Sequence, residues 1–289
     1  MSLIQYLING ISIGSVYAII ALGYTMVYGI AKLLNFAHGD IIMVGAYTIF
    51  VFMGFSHPLL AVLAAVIFCM LLGILIEKVA YKPLRGASPL AVLITAIGVS
   101  YLLQSLAQII FGSAPKMVTV YEFGAVQFLG VTVQVSALVT LAVTVVVMVC
   151  LTLFVKYTRT GRAMVAVSED KGAAQLMGID VNKIITITFA IGSALAALAG
   201  LFYLLKAPSV SNTLGAMPGI KAFTAAVIGG IGSIPGAMLG GILLGVVECI
   251  SYKIAAIAPY TDAIEFSILI IILLVRPTGF LGKKRREKV

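Results

Sequence analysis

The residue types that most often carry chemistry are few in this chain of 289 residues and stand far apart. Its two histidines, His38 and His57, flank one hydrophobic segment, so we expect them at opposite ends of it. An embedded catalytic centre or a metal site would need several His, Asp or Glu side chains together, or an activated nucleophile. The sequence provides no such cluster and therefore predicts neither an enzyme nor a metal site.

Glycines between residues 229 and 245 invite comparison with nucleotide-binding loops. Gly230 and Gly232 match the first two glycines of a dinucleotide fingerprint, but Pro235 stands where the third is required. A phosphate loop ending in Gly-Lys-Ser/Thr does not occur in the sequence. We therefore expect no cofactor in this chain, and any ATP-driven work would be done by separate subunits.

The composition is that of a membrane protein. Of all residues 62% are hydrophobic and only 10% are charged, whereas soluble domains carry about 25% charged residues. One helix that crosses the bilayer needs about 20 apolar residues, which limits the chain to about nine spans. We predict an all-α polytopic integral membrane protein with a single transmembrane domain, residues 1–282, and a basic tail, residues 283–289.

Hydrophobic runs between charges and Pro, Gly or Ser predict about eight membrane helices. One glycine-rich region among them is interrupted near Ser233 to Gly236. Its first part, residues 221–232, suits either a re-entrant helical hairpin or two short crossing helices. The predicted segments are 3–30, 38–55, 58–77, 89–111, 136–155, 184–205, the interrupted 221–251, and 262–275.

Charge predicts the orientation. The net charge is +9, and cytoplasmic loops collect Lys and Arg, so the excess indicates membrane topology rather than a nucleic-acid partner. All but four of the 19 basic residues fall at Lys32, in loops 78–88 and 156–183, and from Arg276 to the C-terminus. The others, expected on the opposite face, are Lys116, Lys206, Lys221 and Lys253. We expect the N-terminus outside and the C-terminus in the cytoplasm. No charge precedes Lys32, so the first segment is expected to remain as a span rather than be cleaved.

Two segments have patterns that suit a transport path. In the first, small residues and the tyrosines Tyr17, Tyr24 and Tyr28 recur on one face, and Asn9 lies near its outer end; this predicts helix packing or a wet path. In the glycine-rich region, four-residue spacing predicts tight packing, or a broken element whose backbone lines the path. His38 and Asp40 are expected at the cytoplasmic start of the second span, where Asp40 suits the helix dipole.

The loop 156–183 is the least membrane-like part of the chain. Acidic residues precede Ala173-Ala174, and Gly178 suits the end of a helix. We predict a short helix that docks on a soluble partner; the alternative is a solvated connector.

The carboxylates Glu248, Asp262 and Glu265 are expected at the surface or interface near the outer ends of their spans. An ion-coupled transporter would place ionisable groups deep in the membrane, and the sequence indicates none there. The positions of the ionisable side chains therefore argue against an ion-coupled carrier and favour a passive conduit.

Several motifs resemble those of one family. Thr160-Gly161-Arg162-Ala163 and Leu176-Met177-Gly178-Ile179 lie in the loop, with Gly172 where related loops carry Glu. Gly23-Tyr24-Thr25-Met26, Asn35-Phe36-Ala37-His38-Gly39-Asp40 and Arg276-Pro277-Thr278-Gly279 add to the pattern. The chain resembles H-type permease subunits of the high-affinity branched-chain amino-acid ABC importers.

The resemblance implies import of Leu, Ile and Val across the bacterial inner membrane. It implies three kinds of partner besides the lipid bilayer: an M-type permease, two cytoplasmic ATPases that carry ATP and Mg²⁺, and a periplasmic binding protein. The residues expected to couple to the ATPases are Arg159, Gly161, Arg162, Asp170, Ala173, Ala174 and Gly178. The residues expected along the path are Asn9, Tyr17, Tyr24, Asn35, His38, Gly229, Gly232 and Ser233.

Overall fold

The computed structural model describes residues 3–33, 35–121, 123–128 and 131–282. The chain forms a bundle of helices with two small two-stranded sheets at one end. The helices are α1 Leu3–Ala31, α2 His38–Met53, α3 Pro58–Ile76, α4 Pro89–Phe111, α5 Val135–Tyr157, α6 Arg159–Glu169, α7 Lys171–Leu176, α8 Val181–Lys206, α9 Ala216–Gly229, α10 Ile234–Lys253 and α11 Thr261–Val275. The strands are β1 Lys116–Met117, β2 Ala125–Phe128, β3 Val131–Gln134 and β4 Ser209–Val210.

The predicted all-α membrane fold is confirmed. Seven helical segments of the described chain are long and apolar enough to cross a bilayer, while α2 and α9 are shorter apolar helices. The tail 283–289 lies outside the described residues.

The interrupted region forms two separate helices. The break lies at residues 230–233, where Gly230 and Gly232 adopt positive φ angles of 104° and 95°. Ser233 then caps α10, because its hydroxyl accepts from the Gly236 N–H at 3.2 Å. Pro235 therefore stands in the first turn of α10, where proline is favoured, and the predicted interruption is confirmed just before it.

Small residues allow the central helices to approach closely. The most buried span is α1, which packs along α10. A Cβ on Gly14 would lie 2.6 Å from the Cα of Ile242, and one on Gly241 2.5 Å from the Cα of Ala18. This confirms the packing interpretation for these glycines.

The two ends of the bundle differ in charge. At one end, here called the basic end, Arg85 bonds Asn182, and the N–H of Phe280 donates to the Ile228 carbonyl at 2.9 Å. The loops 78–88, 156–183, 230–233 and 276–282 therefore share this end. At the opposite end β1 pairs with β4, and the Lys253 ammonium lies 5.7 Å from the Tyr6 ring centre.

Candidate functional site

Helix α2 begins inside the bundle rather than at its basic end. Its first residue, His38, packs against Gly23 of α1, where a Cβ would lie 2.5 Å from the imidazole Nε2. Gly23 precedes the end of α1 by eight residues, which places His38 about 12 Å inside. The expectation that His38 and Asp40 mark the cytoplasmic start of the span is therefore wrong. The chain turns back into the bundle after α1, at Lys32, which has φ 59°.

Helix α9 begins beside the first turn of α2 and meets it inside the bundle. A Cβ on Gly215 would lie 1.8 Å from the Gly39 carbonyl oxygen, and one on Gly219 would lie 3.0 Å from the Gly39 Cα. From this junction α2 runs to the opposite end and α9 to the basic end. Neither N-cap residue, Ala37 or Gly215, forms a side-chain cap. Two partly positive helix N-termini therefore meet inside the bundle, an arrangement typical of substrate sites in transporters.

An aromatic plug closes the space between the junction and the basic end. The Tyr24 ring centre lies 4.7 Å from that of His38 and 5.9 Å from that of Phe223. These residues and Asn35 line a cavity of about 10 Å³, which has room for about one water molecule. Asn35 accepts from the Tyr81 hydroxyl at 2.8 Å, while its Nδ2 has no partner among the described residues. The structure thus brings together three predicted path residues: Tyr24, Asn35 and His38.

The other predicted path residues lie elsewhere. Asn9 is near the opposite end, 3.4 Å from the Gln5 amide. Tyr17 lies beside the Glu248 carboxylate. Gly229, Gly232 and Ser233 are at the basic end, where the latter two line a separate cavity with Lys156 and Ser168.

Polar side chains connect the junction to the opposite end through α4. The Asp40 carboxylate accepts from the Gln104 amide at 2.8 Å, and that amide lies 3.3 Å from the Ser100 hydroxyl. Near the end of α4, the Asn212 amide donates to Gln108 at 3.4 Å. The predicted segment 89–111 matches α4, but its polar side chains were not predicted as part of the site. The signal that could have found them was the four-residue spacing of Ser100, Gln104 and Gln108.

A buried ion cluster links three helices. The ammonium of Lys221 on α9 lies 3.3 Å from Glu248 of α10 and 2.9 Å and 3.3 Å from Asp262 and Glu265 of α11. Only Asp262 is substantially exposed. The prediction of surface positions is therefore wrong for Glu248 and Glu265, because both find their cation, Lys221, inside the bundle.

The loop 156–183 contains two helices, α6 and α7. The predicted short helix is confirmed as α7: the Asp170 carboxylate accepts from the Ala173 N–H at 3.0 Å, and Gly178 follows the helix with φ 79°. Ala174 is buried, whereas Leu176 and Met177 are 90% and 82% exposed. The loop therefore presents an apolar tip outside the spans. The predicted coupling residues Arg159 and Arg162 are exposed, while Gly161 packs against the end of α5.

One lysine connects this loop to α1. The Lys171 ammonium donates to the carbonyl of Ala31, the last residue of α1, at 3.1 Å. Burial lowers the pKa of Lys171, and the charge of Arg85 lowers it further. This hydrogen bond joins α7 to the end of α1, from which the chain leads into the junction.

Comparison with known proteins decides the family. The profile of the permease components of branched-chain amino acid transport systems matches residues 6–273. The chain belongs to this permease family. It is 44% identical to the high-affinity branched-chain amino acid transport system permease protein BraD of Pseudomonas aeruginosa, over 99% of this chain and 98% of that protein. It is 42% identical to the corresponding permease LivH of Escherichia coli K12, over 99% and 97% of the two chains. The permease is thus a multi-span membrane component of a transport system, in a family of permeases rather than enzymes.

Proposed function

We propose that this permease is a membrane subunit of an ATP-driven ABC importer that moves Leu, Ile and Val across the bacterial inner membrane. Its partners are an M-type permease, two cytoplasmic ATPases and a periplasmic amino-acid-binding protein. The basic end faces the cytoplasm, in accord with the positive-inside rule, and the N-terminus faces the periplasm.

The observation that supports transport through this chain most directly is the junction of α2 and α9. Two uncapped helix N-termini inside the bundle favour an anionic group such as the carboxylate of an amino acid. The plug formed by Tyr24, His38 and Phe223 closes the route below the junction. With the basic end in the cytoplasm, as proposed, this arrangement corresponds to a state closed toward the cytoplasm.

The apolar tip of α7 is the contact for the ATPases. When they bind ATP, a different contact with each state shifts the balance between outward-facing and inward-facing permease. The shift passes from α7 through Lys171 to the end of α1. The segment 32–37 then carries it to the start of α2, which forms part of the plug.

Binding-protein-dependent uptake by the reconstituted complex tests this function. We expect the complex to take up labelled leucine, isoleucine and valine only when ATP is hydrolysed. We expect no uptake of labelled urea. Uptake of urea in preference to leucine would contradict the substrate class.

Ion-coupled transport is a second candidate function, favoured by the buried cluster around Lys221. Intramembrane ionisable groups often serve coupling. Uptake that survives loss of ATP hydrolysis but collapses with the proton gradient would establish this alternative.

A further inference from the structure

The side of α4 that faces away from the bundle is apolar in its first half and more polar in its second half. On the half nearer the basic end it carries Leu90, Ile94 and Ile97, which are all exposed. Because successive residues turn by 100°, Tyr101, Ser105 and Gln108 continue the same side toward the opposite end, and they are exposed too. Polar groups cost free energy in hydrocarbon, so this half of the face is not adapted to lipid.

This polar face leads to the interior junction. Gln108 contacts Asn212, whose loop continues to Gly215 at the start of α9. One turn deeper, Gln104 contacts Asp40. The neighbouring residue Gly39 contacts Gly215. Polar groups therefore extend from the opposite end of the bundle to the meeting point of α2 and α9.

Asp40 is the charged group at the end of this route. It is 1% exposed, and no described Lys or Arg forms an ion pair with it. Its carboxylate accepts a hydrogen bond from the neutral Gln104 amide, with the neutral Ser100 hydroxyl close by. A membrane-embedded carboxylate without a cationic partner is costly and marks a functional site.

We propose that the polar face of α4 is one wall of a water-filled entrance, and that Asp40 at its inner end binds the ammonium group of the substrate. The inference rests on the proposed function, since the substrate is a zwitterion. The second permease subunit forms the other wall and separates the entrance from lipid. The zwitterion then places its ammonium at Asp40 and its carboxylate toward the uncapped start of α9.

Thiol labelling of the assembled complex tests the entrance. Cys69, Cys150 and Cys249 are first replaced by alanine, and single cysteines are placed at Tyr101 and Ser105 on the polar face. Leu102 and Ile109, which are 57% and 80% exposed on the adjacent apolar side, provide controls. Ile109 is shallower than Ser105 and Leu102 is deeper than it, so depth alone does not produce the expected pattern.

A membrane-impermeant methanethiosulfonate reagent is applied at the opposite end. We expect Tyr101→Cys and Ser105→Cys to react about tenfold faster or more than the controls, because the reactive thiolate forms in water and not in lipid. Equal rates on the two sides of α4 would overturn the entrance.

Two substitutions of Asp40 test the ammonium site. Asparagine keeps an oxygen that can accept from the Gln104 amide, so Asp40→Asn removes the charge but retains this hydrogen bond. Asp40→Glu keeps the charge but alters the geometry. We expect leucine uptake to fall about tenfold or more in Asp40→Asn, as for loss of a hydrogen bond to a charged group, and to be partly retained in Asp40→Glu.

Complex assembly and leucine uptake by the unsubstituted complex are measured in parallel. Failure of that complex to take up leucine would refute the proposed function rather than the site. Unchanged uptake in Asp40→Asn, with the unsubstituted complex active, would overturn the ammonium site. Asp40→Glu that assembles but is as inactive as Asp40→Asn would also overturn the ammonium site, because retaining the charge would then have no effect.

Discussion

At the scale of single residues, the site depends on positions where only glycine fits. Gly23 is such a position, since the His38 imidazole fills the space where a Cβ would stand. The contact fixes the depth at which α2 begins. Gly39 and Gly215 act in the same way where α2 meets α9.

Gly23→Ala should displace His38 and loosen the start of α2. The added methyl group would lie 2.5 Å from Nε2, and overpacking of this kind costs about 1–3 kcal/mol. We expect a lower free energy of unfolding of the purified permease and slower leucine uptake. Gly98→Ala in α4 is the control, because no atom lies within 4 Å of its added Cβ. A Gly23→Ala permease as stable and active as the control would contradict this role of His38.

Sequence analysis found residues of the site more readily than their positions. Tyr24, Asn35 and His38 were predicted from spacing and motif, and the structure brings them together. The contact between Asp40 and Gln104 spans 64 residues of chain, and that between Lys221 and Glu265 spans 44. Local patterns do not encode such pairings, which is why the burial of Glu248 and Glu265 with Lys221 was not predicted.

At the scale of elements, hydropathy predicted where helices occur but not how deep each begins. A run of about 20 apolar residues has few alternatives in a bilayer, so the long spans matched closely. The 14 residues of α9 span only about 21 Å. Apolar composition does not reveal which end of such a helix lies inside, since that depends on the contacts of Gly39 and Gly215.

The ion cluster ties α9, α10 and α11 together. Lys221→Met should leave Glu248 and Glu265 buried without their cation, which costs about 3–5 kcal/mol. Asp262→Asn removes a half-exposed partner and should cost at most about 1 kcal/mol. Thermal unfolding of both variants measures the difference. Equal stability of the two would show that the cluster does not hold these helices together.

The apolar tip of α7 should couple ATP hydrolysis to transport. Leu176→Glu removes an apolar side chain that is 90% exposed, so the permease should fold normally. We expect uptake to fall while the ATPases continue to hydrolyse ATP. Gln175→Glu adds the same charge to an exposed polar position and serves as the control. Ala174→Arg is a poorer test, because Ala174 is buried and its substitution would disturb the loop itself.

At the scale of the whole molecule, the bundle has a polar route from the opposite end to the junction and an aromatic plug between the junction and the basic end. Polar groups thus line the route on the side of the opposite end, and the plug closes it on the side of the basic end. This is expected for a permease that exposes its site to one face at a time. The loop 156–183 lies at the closed side and contacts α1 through Lys171. Opening of the plug is therefore the step that the loop is placed to control.

Cross-linking of the plug tests most directly whether substrate passes through the junction. Cysteines placed at Tyr24 and Phe223, whose ring centres lie 5.9 Å apart, are joined by a short bifunctional thiol reagent that reductant removes. We predict that leucine uptake by the reconstituted complex stops when the link forms and returns when it is cleaved, while the binding protein still docks. Undiminished uptake through the linked permease would contradict the account.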